Sequence, residues 1–317
     1  MTQSDRALLE IELPNYYSTY HHSLLDNLNK CSISCKTAKQ SNLDIFSDIE
    51  SKIAYDLADR VAKMHEINIS ERLRILLVQT GKELAALKIA EEIALGMYGT
   101  EELETRLSNA VRVSLSVVTE GVTVAPLQGI SDVEIRTNSD NSKYLSISFA
   151  GPIRSAGGTE TGLTILIADH IRKVIGLEKY IANMYDDETG RFVEELRIYE
   201  REVGNFQFKV SDEDVIKCIK SLPVEINGVD TDPVEVVGHR NMKRISTNRV
   251  RGGALRVIND GLIGRSRKLM KLVETLHLDG WEWLNHLNGA IQTGNEDDVI
   301  QHRMNEVITG RPVLSST

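Results

Sequence analysis

Residues Tyr144-Leu-Ser-Ile-Ser-Phe149 run directly into Ala150-Gly-Pro-Ile-Arg-Ser-Ala-Gly-Gly-Thr159, and an apolar helix pattern follows at once. Leu145, Ile147 and Phe149 alternate as in a half-buried strand, while Leu163, Leu166, Ile167, Ile171 and Val174 recur at helical steps. The fold must therefore pack a strand and a helix across a short glycine-rich turn. Small residues at Gly151, Gly157 and Gly158 let backbone N–H groups approach an anion, and a helix N-terminus favours negative charge. Ser155 and Thr159 add hydroxyl donors, and Arg154 can hold a phosphate with two N–H groups. The spacing matches neither the lysine-bearing phosphate loop nor the dinucleotide fingerprint. A tight turn carrying a solvated arginine is the competing reading, because glycine is the default wherever positive φ is needed.

The flanking sequence supplies helices before this unit and mixed elements after it. Residues 1–47 read as a polar extension: a short helix, then a linker through Asn27–Asn42. Residues 48–118 read as a helical portion. Ile49, Ile53, Leu57, Val61 and Met64 share one face, and Leu73, Leu76, Leu77, Leu84 and Leu87 continue the pattern. Ser70 is a candidate N-cap, Gly81 a break, and Gly96 or Gly99 a terminator. From Glu101 to Val118 the pattern is mixed, and Glu120–Ile130 reads as strand or loop.

Residues 119–284 read as an α+β body. Val133 and Ile135 predict a strand that turns at Asn138–Asn141 and pairs antiparallel with Tyr144–Phe149. The following helix ends near Gly176, with Arg172 and Lys173 complementing its dipole. Ser211-Asp-Glu-Asp214 opens another helix that Pro223 ends, Val224–Ile226 and Val234–Val237 read as strands, and a helix spans Arg265–His277. Clustered strands indicate mixed α+β, with an N-terminal helical portion, more than a doubly wound sheet. Trp281, Trp283 and Leu284 are placed to pin the end of the body.

Composition narrows the function. With 41% hydrophobic residues over 317 positions, the chain can build a sizeable core. No apolar run reaches the ~20 residues of a membrane span, and Met1-Thr-Gln-Ser-Asp5 lacks signal-peptide character, so a cytoplasmic location is expected. Cys31, Cys35 and Cys218 have no suitably spaced histidine partners and read as ordinary thiols. No metal site is expected, and the adjacent pairs Asp186-Asp187 and Asp297-Asp298 do not make one, since neighbouring side chains diverge.

The net charge of −9 argues against a nucleic-acid binder that uses its whole surface. Yet Gly238–Lys271 holds ten basic residues against Asp260 alone, a local +9 that leaves −18 elsewhere. Such asymmetry points to a localised anionic partner. Within it, Thr247-Asn-Arg-Val-Arg-Gly-Gly253 places Arg249 and Arg251 at alternate positions. In a strand they would leave one face roughly 7 Å apart, matching successive backbone phosphates. Gly252 and Gly253 would permit close approach. The competing reading pairs these arginines internally with Glu194 or Glu195. Lys243 and Arg244 suit salt-sensitive phosphate contacts. Phe206, Phe208 and Tyr144 could stack on bases, although alternating Phe206 and Phe208 fit a core better.

These words, with Glu120-Gly-Val-Thr-Val-Ala-Pro-Leu-Gln-Gly-Ile130, Phe192-Val-Glu-Glu195, Gly280-Trp-Glu-Trp-Leu284 and Gly310-Arg-Pro-Val313 in order, resemble the large subunit of archaeal family D DNA polymerase near its N-terminus. The resemblance runs from about Ile49 to the end and departs from the family at Leu314, where an aromatic is expected. Family members are several times longer, which implies an N-terminal part with residues 285–317 leading toward a downstream catalytic region. The family's catalytic carboxylates and zinc-binding cysteines lie downstream, so no catalytic residue and no cofactor is implied in this stretch; Mg is implied for the complete polymerase. Implied partners are primer–template DNA, the small subunit with its 3′–5′ exonuclease, the rest of the large subunit and a second copy of the chain. Three roles remain open: a noncatalytic DNA-positioning region, an assembly or dimerisation platform, and a stand-alone enzyme acting on a nucleotide phosphate at Arg154.

Overall fold

A computed structural model describes residues 14–41, 54, 56–182, 187–287 and 291–292. The chain divides into two compact units, Met1–Arg74 and Ile75–Thr317.

The first unit begins with α1 (Asn15–Gln40). The expected linker through Asn27–Asn42 is thus helical as far as Gln40. The stretch is polar, but it contains no glycine or proline to interrupt the ladder. Thr19 and Thr37 donate back to the carbonyls of Asn15 and Ile33, which spares their hydroxyls from competing with the helix. Helix α2 (Leu57–His65) is capped by the Asp56 carboxylate, which accepts from the Asp59 N–H and also from Arg74 Nε at 2.6 Å. Ile49 and Ile53, assigned to this helix from periodicity, lie outside the described residues. Helix α3 (Ser70–Thr80) starts at Ser70 itself, one residue earlier than a Ser70 cap would allow.

In the second unit, Gly81 separates α3 from α4 (Lys82–Ala94), as expected. Helix α5 (Leu103–Val118) replaces the mixed pattern read at Glu101–Val118. Its second half is enclosed, with every residue from Val113 to Val118 buried, so the apolar stripe begun by Leu107, Ala110 and Val111 does not continue to the end of the helix. It packs against α4 and the long helix α6 (Gly158–Ile175). A single π-helical turn, Ala125–Gly129, then leads into β1 (Ile130–Thr137).

Strand β1 pairs antiparallel with β2 (Lys143–Phe149), with Val133 opposite Ile147 and Ile135 opposite Leu145. Parallel to β2 lies β4 (Glu225–Gly228), reached through α6, α7 (Glu188–Glu202) and α8 (Asp212–Ser221). The sheet order is β1-β2-β4. Ser211 caps α8 as its sequence predicts, accepting from the Asp214 N–H. Two-residue strands β3 (Phe208–Lys209) and β5 (Ile291–Gln292) form a separate ribbon. No strand forms at Val234–Val237. Pro233 has no N–H to donate, and only one bridge, Glu235 with Arg249, joins the segment to its neighbour.

Helix α6 ends at Gly176 in a left-handed cap. Arg172 and Lys173 do more there than complement the dipole, since both pair with the buried Asp169, at 2.7 and 2.9 Å. The fully buried Trp281 donates its indole N–H to the same carboxylate, which fixes the C-terminal part of the body onto α6. After α9 (Gly252–Arg256) the chain widens into a π-helical stretch, Val257–Ile263, before α10 (Ser266–Leu276). Among the described residues no helix is long and apolar enough to cross a membrane.

Candidate nucleic-acid interface

Between β2 and α6 the glycine-rich segment forms a 3-10 turn, Gly151–Ala156. Gly157 follows at φ 85°, a left-handed position that L side chains rarely adopt. Gly158 is required by packing: a Cβ there would lie 2.4 Å from the Asp260 carbonyl oxygen of the π-helical stretch. Gly151 has only Thr231 nearby, the Ser155 hydroxyl donates to the Pro152 carbonyl at 2.9 Å, and Thr159 sits half-buried at the start of α6. The loop's small residues thus serve α6 packing first. Arg154 projects into solvent from this turn with no hydrogen bond or ion pair among the described residues.

Arg249 and Arg251 do not leave one face. No strand forms there, and the chain turns into α9 at Arg251. Arg249 is half-exposed, 3.6 Å from Asp230. Arg251 is 1% exposed. Its Nε lies 3.1 Å from both oxygens of Glu195, its Nη1 donates to Asn227 at 2.8 Å, and its guanidinium stacks over Phe192 at 4.5 Å. Arg191, fully buried, donates to the same Glu195 at 2.6 Å and to the carbonyls of His239, Thr247 and Arg249. One carboxylate thus neutralises two buried arginines, so Arg251 holds the loop in place and does not present itself to an external strand. Close approach at Gly253 is also internal, since its Cβ would meet the Ala150 carbonyl at 2.6 Å.

Glu194 does not pair with either arginine. Burial pulls its carboxyl upward, but the N–H groups of Gly238 and Val237 and the His239 ring and N–H outweigh that and hold it at about 2. Arg244 is withdrawn as well: it lies over the rings of Tyr144 and Tyr180 and donates to the Ile181 carbonyl at 2.8 Å. Tyr144 is buried, its hydroxyl on Glu225 at 3.2 Å, so it cannot stack on a base. Lys243 is exposed and unpaired among the described residues.

Two arginines counted in the local charge but not singled out by the sequence flank the glycine turn, Arg256 lining a hollow with Arg154 and Arg265 lying beside Gly158. Arg256 lies over Tyr199 and Phe206, and Arg265 lies over Phe208 at 4.8 Å. Phe206 and Phe208 are buried as core residues, and their faces orient these guanidiniums. The available signal was the joint spacing of aromatic and basic residues, which links positions fifty apart and has no local period.

Two hollows border the first turn of α6. One, of about 30 Å³, is lined by Arg154, Gly157, Gly158, Gln207, Arg256 and Asp260. The other, of about 270 Å³, has Val118, Leu163 and Leu272 as its floor and Lys82, Lys268 and Lys271 around it. Lys82 is paired with Glu120 at 2.7 Å, whereas Lys268 and Lys271 are exposed and unpaired among the described residues. No group of three or more metal-ligating side chains occurs among the described residues.

The architecture is thus an α+β body with exposed cations on a strand–turn–helix unit and, separately, in the loop before α9. Residues 19–290 match the family described as DNA polymerase II large subunit DP2, N-terminal. The chain is 58% identical over 306 residues to the DNA polymerase II large subunit of Cenarchaeum symbiosum, covering 96% of this chain and 28% of that protein. It is 38% identical to that of Methanococcus maripaludis over 97% of this chain and 29% of the relative. For Pyrococcus furiosus the identity is 37%, over 93% and 24%. The chain belongs to this family, aligns with its N-terminal region, and spans less than a third of the length of these relatives.

Proposed function

We propose that this chain is a noncatalytic, DNA-positioning and assembly region of a replicative archaeal polymerase. The complete enzyme would extend a primer on a template by nucleotidyl transfer with Mg, and would gain 3′–5′ exonuclease activity from its small subunit, in the cytoplasm. Within it, this region supplies cations to the DNA backbone and surfaces to the rest of the large subunit and to the small subunit.

The observation that carries the reading is how the local +9 of Gly238–Lys271 is divided. Arg244 and Arg251 are committed to internal partners. Lys243, Arg267, Lys268 and Lys271, with Arg154 outside the segment, face solvent unpaired among the described residues, and Arg249 has only a loose partner. Cations left unpaired on an acidic protein fit contacts to a polyanion that read charge and not sequence. The hollow beside Arg154 is too small for a nucleotide, which weighs against an enzyme acting there. A purely structural platform would draw on the burial of Arg251.

Fluorescence anisotropy of a labelled primer–template, titrated with the whole chain, tests the reading. Binding that weakens with salt and further with Lys243→Ala/Arg249→Ala supports it. No binding at low salt by a folded chain leaves assembly as the role.

A further inference from the structure

We propose that the hollow beside Gly157 and Gly158 is a seat for a single phosphoryl group, gripped by Arg154 at its mouth and by Arg256 in its wall. The size of the hollow restricts the ligand. About 30 Å³ admits two groups the size of a water oxygen. Two non-bridging phosphoryl oxygens fit such a space with the ester oxygens left outside, whereas a nucleobase does not.

The guanidiniums are already arranged for this. Arg256 is held over Tyr199 and Phe206, with one nitrogen on the Tyr199 hydroxyl at 3.0 Å and another only loosely on Asp260, at 3.4 Å. A preorganised guanidinium loses little freedom on taking up a phosphate. Arg265 stands beside Gly158, and its Nε is buried without a hydrogen-bond partner. Arg154 has nothing else to bind among the described residues. A π-helical stretch forms the opposite wall, a departure from α-helix that recurs at functional sites.

Two carboxylates oppose an anion here. Glu160 lies against Gly157, and Asp260 forms part of the lining. Asp260 is enclosed by the Gln207 N–H at 2.8 Å and the Asn259 amide at 3.0 Å, and burial pushes its carboxyl above the ordinary range. Against these two carboxylates stand three guanidiniums, Arg154, Arg256 and Arg265, so one positive charge remains in excess around the hollow.

The phosphoryl group could be carried by DNA or by a free phosphate compound. Only the choice of DNA as carrier rests on the function proposed above; the seat itself does not. The test uses the whole chain, isotopically labelled, and follows the amides of Gly157, Gly158 and Gln207 by NMR during titration with inorganic phosphate and, separately, with a short DNA duplex. The seat predicts saturable shifts at these amides with phosphate, weakened about tenfold by Arg154→Ala, the loss of one charge-assisted contact. Displacement of phosphate by the duplex supports DNA as carrier. Phosphate binding that the duplex does not disturb keeps the seat and assigns it to a free phosphate compound. Absence of shifts at these amides, or an Arg154→Ala variant that binds phosphate as tightly, overturns the seat even if the duplex binds elsewhere.

Discussion

Glu195 is the sole carboxylate among the described residues that pairs with either of two buried arginines, so its removal is the most severe single test of how the body is held. In Glu195→Ala, Arg191 and Arg251 keep their charges in the interior, 0% and 1% exposed, with only neutral oxygens to face. Breaking a buried ion pair from one side costs about 3–5 kcal/mol, and a shared carboxylate belongs at the upper end. For a domain stable by ~5–15 kcal/mol that is a large fraction. For a unit of this size it corresponds to a fall in Tm of roughly 6–20 °C. Arg251→Met is the control. It leaves Glu195 paired with Arg191 at 2.6 Å and fills similar space, while the Asn227 oxygen keeps the Gly228 N–H, so its cost is set mainly by the Glu195 Oε2 left without a donor, about 1–3 kcal/mol. Guanidinium unfolding followed by tryptophan fluorescence, with Trp281 in the core as reporter, measures both. Arg251→Met as damaging as Glu195→Ala, or Glu195→Ala within about 1 kcal/mol of wild type, would refute the shared-carboxylate account.

Other consequences follow from single contacts. Gly158→Ala should cost about 1–3 kcal/mol, because its methyl would lie 2.4 Å from the Asp260 carbonyl and α6 cannot move without disturbing the core; thermal melts check this. Glu194, held at about 2 against an ordinary 4.5, contributes stability that is fully present above pH 4.5 and lost as pH falls toward 2. Unfolding free energies measured across that interval should therefore fall less steeply in Glu194→Gln than in wild type, and parallel curves would contradict the amide cage around this carboxylate.

Much of the fold is legible in the sequence wherever one face is buried and the other wet. The β1–β2 hairpin, the end of α6 at Gly176 and the Ser211 cap all follow from period, glycine or capping chemistry. Helix α5 falls within the portion read as helical, but its pattern reads as mixed because Val113–Val118 is buried on every side and carries no period. Helix α1 continues through a stretch whose Asn and Ser residues suggest a loop, because without glycine or proline they only weaken a helix. At the candidate site, the sequence brought out Arg154, Lys243 and Arg249, which are exposed, alongside Arg244 and Arg251, which are not. Charge alone does not distinguish them. The difference lies in Glu195, Phe192, Tyr144 and Tyr180, partners that only tertiary packing brings close.

The most direct test of the account is the salt dependence of DNA binding by the whole chain and by Arg154→Ala/Lys243→Ala/Arg249→Ala. Each phosphate contact contributes about 0.9 to the slope of log affinity against log salt. The account predicts that the triple variant folds like wild type and that its slope is shallower by about 2–3 units, while Arg251→Met keeps the wild-type slope. An unchanged slope in the triple variant, or a slope lost in Arg251→Met with stability intact, would contradict it.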